Sequence, residues 1–217
     1  MSSLSGTQHD AGLTPNESGR GARPDVALIQ RAQRGDRGAY GQIVLLYQDR
    51  LYNAMLRLVG DREEARELAQ ETFTRGLSGI AGFRGDSSPY TWLFRIGVNL
   101  AISQLRKVQK QRTFSLDSGG AKGRTGEDQA SALLDRMSRE QSETPPQRLE
   151  RRERDQAVLA ALGRLDAEYR AVLVMRDIEG FDYQQMADVL GLPLGTLKSR
   201  LFRARLALRD ELRNYLK

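Results

Sequence analysis

The stretch "YQQMADVLGLPLGTLKSRLFRAR", residues 183–205, decides the fold of the C-terminal part of the chain. Its first part places Met186, Ala187 and Leu190 on one face of a helix, and the Gly-Leu-Pro sequence that follows interrupts that helix. Apolar residues then resume at helical spacing. This second stripe comprises Leu194, Leu197, Leu201, Ala204, Leu208 and Leu212. The pattern predicts a helix, a tight turn and a second helix.

The opposite face of the second helix carries small, hydroxyl, cationic and aromatic side chains near its start. These residues are Gly195, Thr196, Lys198, Ser199, Phe202 and Arg203. Such a face suits a helix whose N-terminal end enters the major groove of DNA, where the side chains reach phosphates and base edges. The alternative is a helical hairpin with a solvated basic face. We interpret the stretch as a DNA-binding helix-turn-helix.

Composition narrows the class of protein. The chain has 217 residues, 39% of them hydrophobic, which favours two small helical domains over one large core. It has no cysteine and one histidine, His9, so disulfides and thiolate metal sites are excluded, and we expect neither a metal nor another cofactor. The net charge of +6 suits a polyanionic partner. Without an apolar run of bilayer length or a signal-peptide pattern, we expect a cytoplasmic protein that does not insert into membranes.

The apolar pattern divides the chain into four parts with an all-α fold. Residues 1–24 are rich in Ser, Gly, Asn and Pro and are expected to be a disordered tail. Residues 25–112 show helical periodicity and predict a bundle, in which Leu46 belongs to the buried stripe and Asp61 caps the third helix. Residues 113–152 are read as a flexible linker with one brief helix at "ALLDRM". Residues 153–217 form the second small helical domain, which contains the helix-turn-helix.

The informative part of the first domain is "FRGDSSPYTWLFRIGVNLAISQLRK", residues 83–107. Aromatic rings and cations alternate there around a flexible Gly/Ser loop. That combination suits unstacked bases of a single strand, because cationic side chains contact the phosphate backbone while aromatic rings stack on the bases. Trp92 and Phe94 are equally consistent with core positions in a helix.

Three motifs, in this order, carry a resemblance to a known family. "DREEARELAQETF" at 61–73 is followed by "FRGDSSPYTWLFRIGVNL" at 83–100 and, after the linker, by "GFDYQQMADVLGLPLGTLKSRLFRAR" at 180–205. Together they resemble bacterial extracytoplasmic-function (ECF) sigma factors, with residues 25–112 as sigma region 2 and 153–216 as sigma region 4.

The resemblance implies a role for each region. Region 2 would dock on the clamp helices of core RNA polymerase and open the minus-10 promoter element, while region 4 would read the minus-35 element. The implied polymerase-binding residues are Glu64, Glu67, Gln70, Glu71 and Phe73. The implied minus-10 residues are Phe83, Arg84, Ser87, Ser88, Tyr90, Trp92, Arg95 and Asn99. The implied minus-35 residues are Thr196, Lys198, Ser199, Phe202 and Arg203. The implied partners are core RNA polymerase, promoter DNA and an anti-sigma factor.

Three other classes of protein would each require a feature that distinguishes them from a sigma factor. A helix-turn-helix regulator with a sensing or dimerising N-terminal bundle would bind duplex DNA specifically without polymerase. A metal-dependent nuclease would need clustered carboxylates, whereas the acidic residues here are spread along amphipathic helices. An adaptor that only binds polymerase would leave Phe202 and the cationic helix without a role. We therefore expect a sigma factor that is not an enzyme.

Overall fold

The computed structural model describes residues 24–116 and 145–215, and within these ranges the chain consists of helices and turns. The prediction of an all-α fold is confirmed. The predicted tail, except Pro24, and the interior of the predicted linker with its "ALLDRM" helix lie outside the described residues. At both ends of that linker the flanking helices extend beyond the predicted boundaries, to Leu116 on one side and back to Pro145 on the other.

Within residues 24–116, the N-terminal half consists of four helices and one short turn. They are α1 (Pro24–Gln33), α2 (Arg37–Val59), α3 (Arg62–Gly79), a 3-10 turn (Ile80–Gly82) and α4 (Pro89–Leu116). The connection from α2 to α3 is tight because Gly60 adopts a left-handed φ of 79° and Asp61 caps the next helix. The Asp61 carboxylate accepts from the backbone N–H groups of Glu63 at 2.9 Å and Glu64 at 3.0 Å, as expected of an N-cap.

The core of this half lies where α2, α3 and α4 meet. The Tyr40 hydroxyl donates to the Phe73 carbonyl at 2.6 Å, and burial raises the pKa of Tyr40 to about 12. The prediction that Leu46 is buried is wrong, because it is 56% exposed and its neighbour Leu45 is 70% exposed. The buried residues of α2, among them Ile43, recur about every four positions and form one face of the helix. Leu45 and Leu46 lie outside this face and outside the contact with α3 and α4.

Within residues 145–215, the C-terminal half consists of four helices and a π-helical turn. They are α5 (Pro145–Arg164), α6 (Ala167–Leu173), the π-helical turn (Val174–Ile178), α7 (Tyr183–Leu190) and α8 (Leu194–Tyr215). Leu197 and Leu201 are buried, as the stripe predicts. Leu194 is 41% exposed, contrary to the prediction. Helical side chains lean toward the N-terminus, so the side chain of the first residue of α8 points past the end of the helix.

The two halves pack against each other and share one hydrophobic core. The rings of Phe94 on α4 and Phe181, which precedes α7, lie 4.9 Å apart. Arg170 on α6 is 5% exposed, and its guanidinium donates to the carbonyls of Leu58 and, at 2.7 Å, of Gly163. These carbonyls lie in the last turns of α2 and α5, where the helix dipole favours a cation. Burial lowers the pKa of Arg170.

Candidate functional site

The turn between α7 and α8 is fixed by hydrogen bonds at both ends of α7. At the start, the Asp182 carboxylate accepts from the Gln185 N–H at 2.8 Å, and the Gln185 side chain accepts from the Asp182 N–H at 3.0 Å. At the end, Gly191 adopts a left-handed φ of 64°, and the Leu192 N–H donates to the Ala187 carbonyl at 3.1 Å. These bonds set the direction in which α8 leaves the turn.

The residues that sequence reasoning assigned to the minus-35 element lie together on the exposed side of α8. We call Thr196, Lys198, Ser199, Phe202 and Arg203 the α8 face. All five are exposed, and Phe202 is 64% exposed although it is a large apolar side chain. The Ser199 hydroxyl donates to the Thr196 carbonyl at 2.9 Å, which leaves its oxygen lone pairs toward solvent. The face therefore presents cations, hydroxyls and one ring on a single surface.

The arginines of α8 fall into two groups that the sequence does not distinguish. Arg200 Nη1 lies 2.7 Å from Glu168 Oε2, and Arg205 Nη2 lies 2.6 Å from Asp177 Oδ1. These two cations are committed to carboxylates of α6 and the π-helical turn. Lys198 and Arg203 form no ion pair with any carboxylate in the part of the chain that the structure describes. In the first three turns of α8, the cations that pair with no carboxylate of the described residues are thus Lys198 and Arg203, both on the α8 face.

The loop at 83–88 is anchored at both ends. The Gln33 side-chain amide donates at 2.9 Å to the carbonyls of Ile80 and Phe83, which ties α1 to the start of the loop. At the other end the Ser88 hydroxyl accepts from the Thr91 N–H at 3.0 Å and so caps α4. Between these anchors, Gly85 adopts a left-handed φ of 83°. The loop is therefore held in a defined shape on the surface.

The residues assigned to the minus-10 element divide by exposure. Exposed members are Arg84, Arg95 and Asn99; half-buried members are Ser87, Ser88 and Trp92; buried members are Phe83 and Tyr90. The rings of Phe83 and Trp92 meet edge to face with centroids 5.4 Å apart, so Trp92 packs in the fold on one side and reaches solvent on the other. Phe94 is fully buried and is a core residue. The polar members are accessible, whereas two of the three rings are covered.

The residues assigned to polymerase binding lie along α3. Glu67, Gln70 and Glu71 are exposed, and Glu64 and Phe73 are half-buried. A groove of about 410 Å³ runs between α2 and α3. Its lining includes Val44, Tyr52, Ala69, Gln70 and Phe73. Asp49 also lines the groove, and the exposed Leu45 is its neighbour one helical turn earlier on the surface of α2. An acidic face beside an apolar groove is suited to a basic, partly apolar protein partner.

Sequence reasoning missed a cluster of polar groups between the two halves. Glu179 follows the π-helical turn, and its Oε2 accepts from the Tyr90 hydroxyl at 2.9 Å and from Arg50 Nε at 3.0 Å. The Arg50 guanidinium lies 3.8 Å from the centre of the Tyr90 ring. Burial and the Glu179 charge raise the pKa of Tyr90. No local pattern signals this cluster, because its members are far apart in sequence.

The described ranges contain neither a cluster of metal-ligand side chains nor a membrane-spanning helix. No three His, Cys, Asp or Glu side chains within residues 24–116 and 145–215 come together as a metal site would require. The carboxylates of Glu168, Asp177 and Glu179 instead each face an arginine. No helix in the same ranges is long and apolar enough to cross a membrane.

Comparison with known families and proteins agrees with this arrangement. The family model for Sigma-70 region 2 matches residues 43–111, and that for Sigma-70 region 4 matches residues 155–208. The chain is 35% identical over 193 residues to the RNA polymerase sigma-H factor of Pseudomonas aeruginosa, covering 89% of this chain and 96% of that protein. It is 30% identical over 188 residues to the ECF RNA polymerase sigma factor SigW of Bacillus subtilis, covering 86% and 95%.

Similar solved structures include two complexes. CnrH, bound to the cytosolic domain of CnrY, has 26% identity and a TM-score of 0.58 and covers 88% of this chain and 99% of its own. The sigma factor RpoE of Bartonella quintana, bound to the anti-sigma factor NepR, has 25% identity and a TM-score of 0.57 and covers 80% and 96%. With both sigma regions matched in order and relatives aligned over nearly their whole length, the chain belongs to the extracytoplasmic-function family of RNA polymerase sigma factors.

Proposed function

We propose that this protein directs core RNA polymerase to promoters, with the α8 face reading the minus-35 element. The observation that carries the proposal is the exposure of all five residues of that face at the start of the second helix of a helix-turn-helix. Lys198 and Arg203 would contact phosphates, Thr196 and Ser199 would contact phosphates or base edges, and Phe202 would contact thymine methyl groups.

The second part of the proposal assigns the minus-10 element to the loop at 83–88 and the start of α4. The exposed cations Arg84 and Arg95 would follow the strand backbone, and Asn99 offers an amide to a base edge. The solvent-facing side of Trp92 is available for stacking on an unpaired base. The loop glycine Gly85 lets the strand approach the backbone closely.

The third part of the proposal concerns protein partners. The acidic side chains of α3 and the adjacent groove would receive a basic element of core RNA polymerase, with Phe73 in the contact. An anti-sigma factor is proposed as a further partner, supported by the similarity to RpoE solved with NepR. The protein would act in the cytoplasm, where polymerase is, and would catalyse no reaction of its own.

The test is reconstitution with purified bacterial core polymerase. We expect the chain to co-elute with core and to start transcription at discrete genomic sites that core alone does not use. Phe202→Ala should still co-elute but start transcription at least about tenfold less, because it removes a contact to the bases and no buried group. Specific duplex binding without co-elution would instead support the helix-turn-helix regulator, which the relatives do not favour.

A further inference from the structure

Gln33, the last residue of α1, binds the backbone at the start of the loop at 83–88. Its side-chain amide donates at 2.9 Å to the Ile80 carbonyl and at 2.9 Å to the Phe83 carbonyl. An amide nitrogen carries two N–H bonds, so these two acceptors use both of them. Ile80 is the first residue of the 3-10 turn and Phe83 directly follows that turn. Gln33 therefore fixes the backbone where the loop begins.

The turn after α1 holds Gln33 in place for these two bonds. Arg31 Nη2 lies 2.6 Å from Asp36 Oδ2. The Asp36 carboxylate also accepts from the Ala39 N–H at 3.0 Å, as the N-cap of α2. Gly35, directly before the cap, adopts a left-handed φ of 96°. The end of α1 thus has one fixed direction relative to α2.

The start of the loop is connected to Trp92 by a ring contact. Phe83 is 9% exposed, and its ring meets the Trp92 ring edge to face, with centroids 5.4 Å apart. Trp92 also lies against α3, since a Cβ added at Gly79 would lie 3.9 Å from Trp92 Cζ2. Phe83 and Ile29 of α1 belong to one hydrophobic cluster, against which Trp92 packs. A shift of the Phe83 backbone therefore changes the surroundings of the ring that is proposed to stack on an unpaired base.

The two bonds of Gln33 contribute to the loop more than to the helix that carries them. Gln33 is exposed, whereas Ile29 and Ala32 are the buried residues of α1. Loss of the amide would expose the Ile80 and Phe83 carbonyls to water and leave the apolar contacts of α1 intact. Because a hydrogen bond makes only a modest net contribution to stability, the helices would stay folded while the loop sampled more conformations.

We propose that Gln33 is a positioning residue for the minus-10 strand, which holds the loop at 83–88 and the Trp92 ring in their receiving arrangement before the strand arrives. A site that is already ordered loses less conformational entropy on binding, so the same contacts give a higher affinity. Gln33 acts through the Phe83 backbone and not by contact with DNA. The role toward DNA rests on the proposed function, whereas the ordering of the loop rests on the contacts alone.

Hydrogen exchange in the chain without partners tests whether Gln33 orders the loop. Gln33→Met keeps an unbranched side chain of similar length and removes both donors. We expect exchange at residues 80–88 to become about five- to tenfold faster in this variant, while exchange in α2 stays unchanged. Gln33→Lys, whose ammonium group can donate to both carbonyls, should restore most of the protection. Equal exchange at residues 80–88 in Gln33→Met and the unchanged protein would overturn the proposal.

Promoter opening by the protein reconstituted with core polymerase tests the consequence for DNA. Gln33→Met should co-elute with core as the unchanged protein does. It should open promoters about five- to tenfold more slowly, as followed by the permanganate reactivity of promoter thymines. Tyr47→Phe is the matched control, because it removes the bond of 2.7 Å between the Tyr47 hydroxyl and the Asp25 carboxylate at the other end of α1. This control should leave the opening rate and the exchange at residues 80–88 unchanged.

The outcomes distinguish this role from the proposed function itself. Normal opening by Gln33→Met would overturn the positioning role and leave promoter recognition intact. An equal loss in Tyr47→Phe would also overturn it, because any loosening of α1 would then have the same effect. If the unchanged protein opened no promoter with core polymerase, the proposed function would fail, and the role of Gln33 toward DNA would fail with it.

Discussion

At the scale of single residues, Gly76 shows how closely the helices of the N-terminal half approach. A Cβ added there would lie 2.6 Å from Leu93 Cδ2 and 2.6 Å from the Tyr40 hydroxyl oxygen. That hydroxyl is held by its bond to the Phe73 carbonyl and cannot turn aside without losing it. Gly41, on the exposed side of α2, is the opposite case, since an added Cβ would have no neighbour within 4 Å.

The two glycines make a matched pair for a stability measurement. Gly76→Ala should lower the free energy of unfolding by about 1 to 3 kcal/mol, because the added methyl overpacks a tight contact. Gly41→Ala should raise it by about 0.5 to 1 kcal/mol, because alanine loses less backbone entropy in a helix. Urea titration followed by circular dichroism measures both changes. Equal midpoints for Gly76→Ala and the unchanged protein would contradict the packing described here.

Single residues were predictable from sequence where their role is local. Asp61 as a cap, Gly191 as a helix end and Phe202 as an exposed ring all follow from their immediate neighbours. Tyr90 and Glu179 do not, because 89 residues separate the two ends of their hydrogen bond. Local periodicity places Tyr90 on a helix but contains no information about which distant carboxylate meets it.

At the scale of elements, α8 separates cations that hold the fold from cations that are free to bind a polyanion. Sequence analysis predicted the helix and its outward face, but it did not indicate which of the helix's arginines pair with carboxylates. The structure ties Arg205 to Asp177 and leaves Arg203 on the α8 face. Arg205 differs from Arg203 in its ion pair with a residue of another element, and helical spacing alone cannot predict such a pair.

This separation predicts different salt dependence for two neighbouring variants. Arg203→Gln should weaken binding to duplex DNA and reduce the slope of log K against log[salt] by about 1, because one phosphate contact is lost. Arg205→Gln should leave that slope unchanged, because its guanidinium is bound to Asp177. Fluorescence anisotropy at several salt concentrations measures both slopes. An equal reduction of the slope in the two variants would contradict the distinction between paired and unpaired arginines of α8.

At the scale of the whole molecule, sequence analysis predicted two helical domains in the right order but did not predict their contact. The apolar stripes predict which residues are buried. They do not predict which of these residues are buried against the other domain. Val172 and Val174, on either side of the end of α6, are buried in a core shared with α2 and α4. Arg170 links the two halves through the Leu58 carbonyl, a contact that no pattern in the sequence predicts.

The burial of Tyr90 also bears on whether the protein opens DNA unaided. Flipping a base out of the duplex costs a few kcal/mol, and stacking on a side chain returns about 1 to 3 kcal/mol per base. Tyr90 contributes nothing to that return while it is buried, because it is 4% exposed. We expect no strand opening by the isolated protein and opening in its complex with core polymerase. Permanganate reactivity of promoter thymines measures this, and reactivity with the isolated protein would contradict the expectation.

The contact between Tyr90 and Glu179 also sets an order of events during synthesis. Tyr90 leaves the ribosome 89 residues before Glu179. At roughly 5 to 20 residues per second, the Tyr90 hydroxyl is made on the order of ten seconds before its carboxylate acceptor. During that interval the Tyr90 hydroxyl bonds to water, and this link between the two halves forms only after the ribosome has added Glu179.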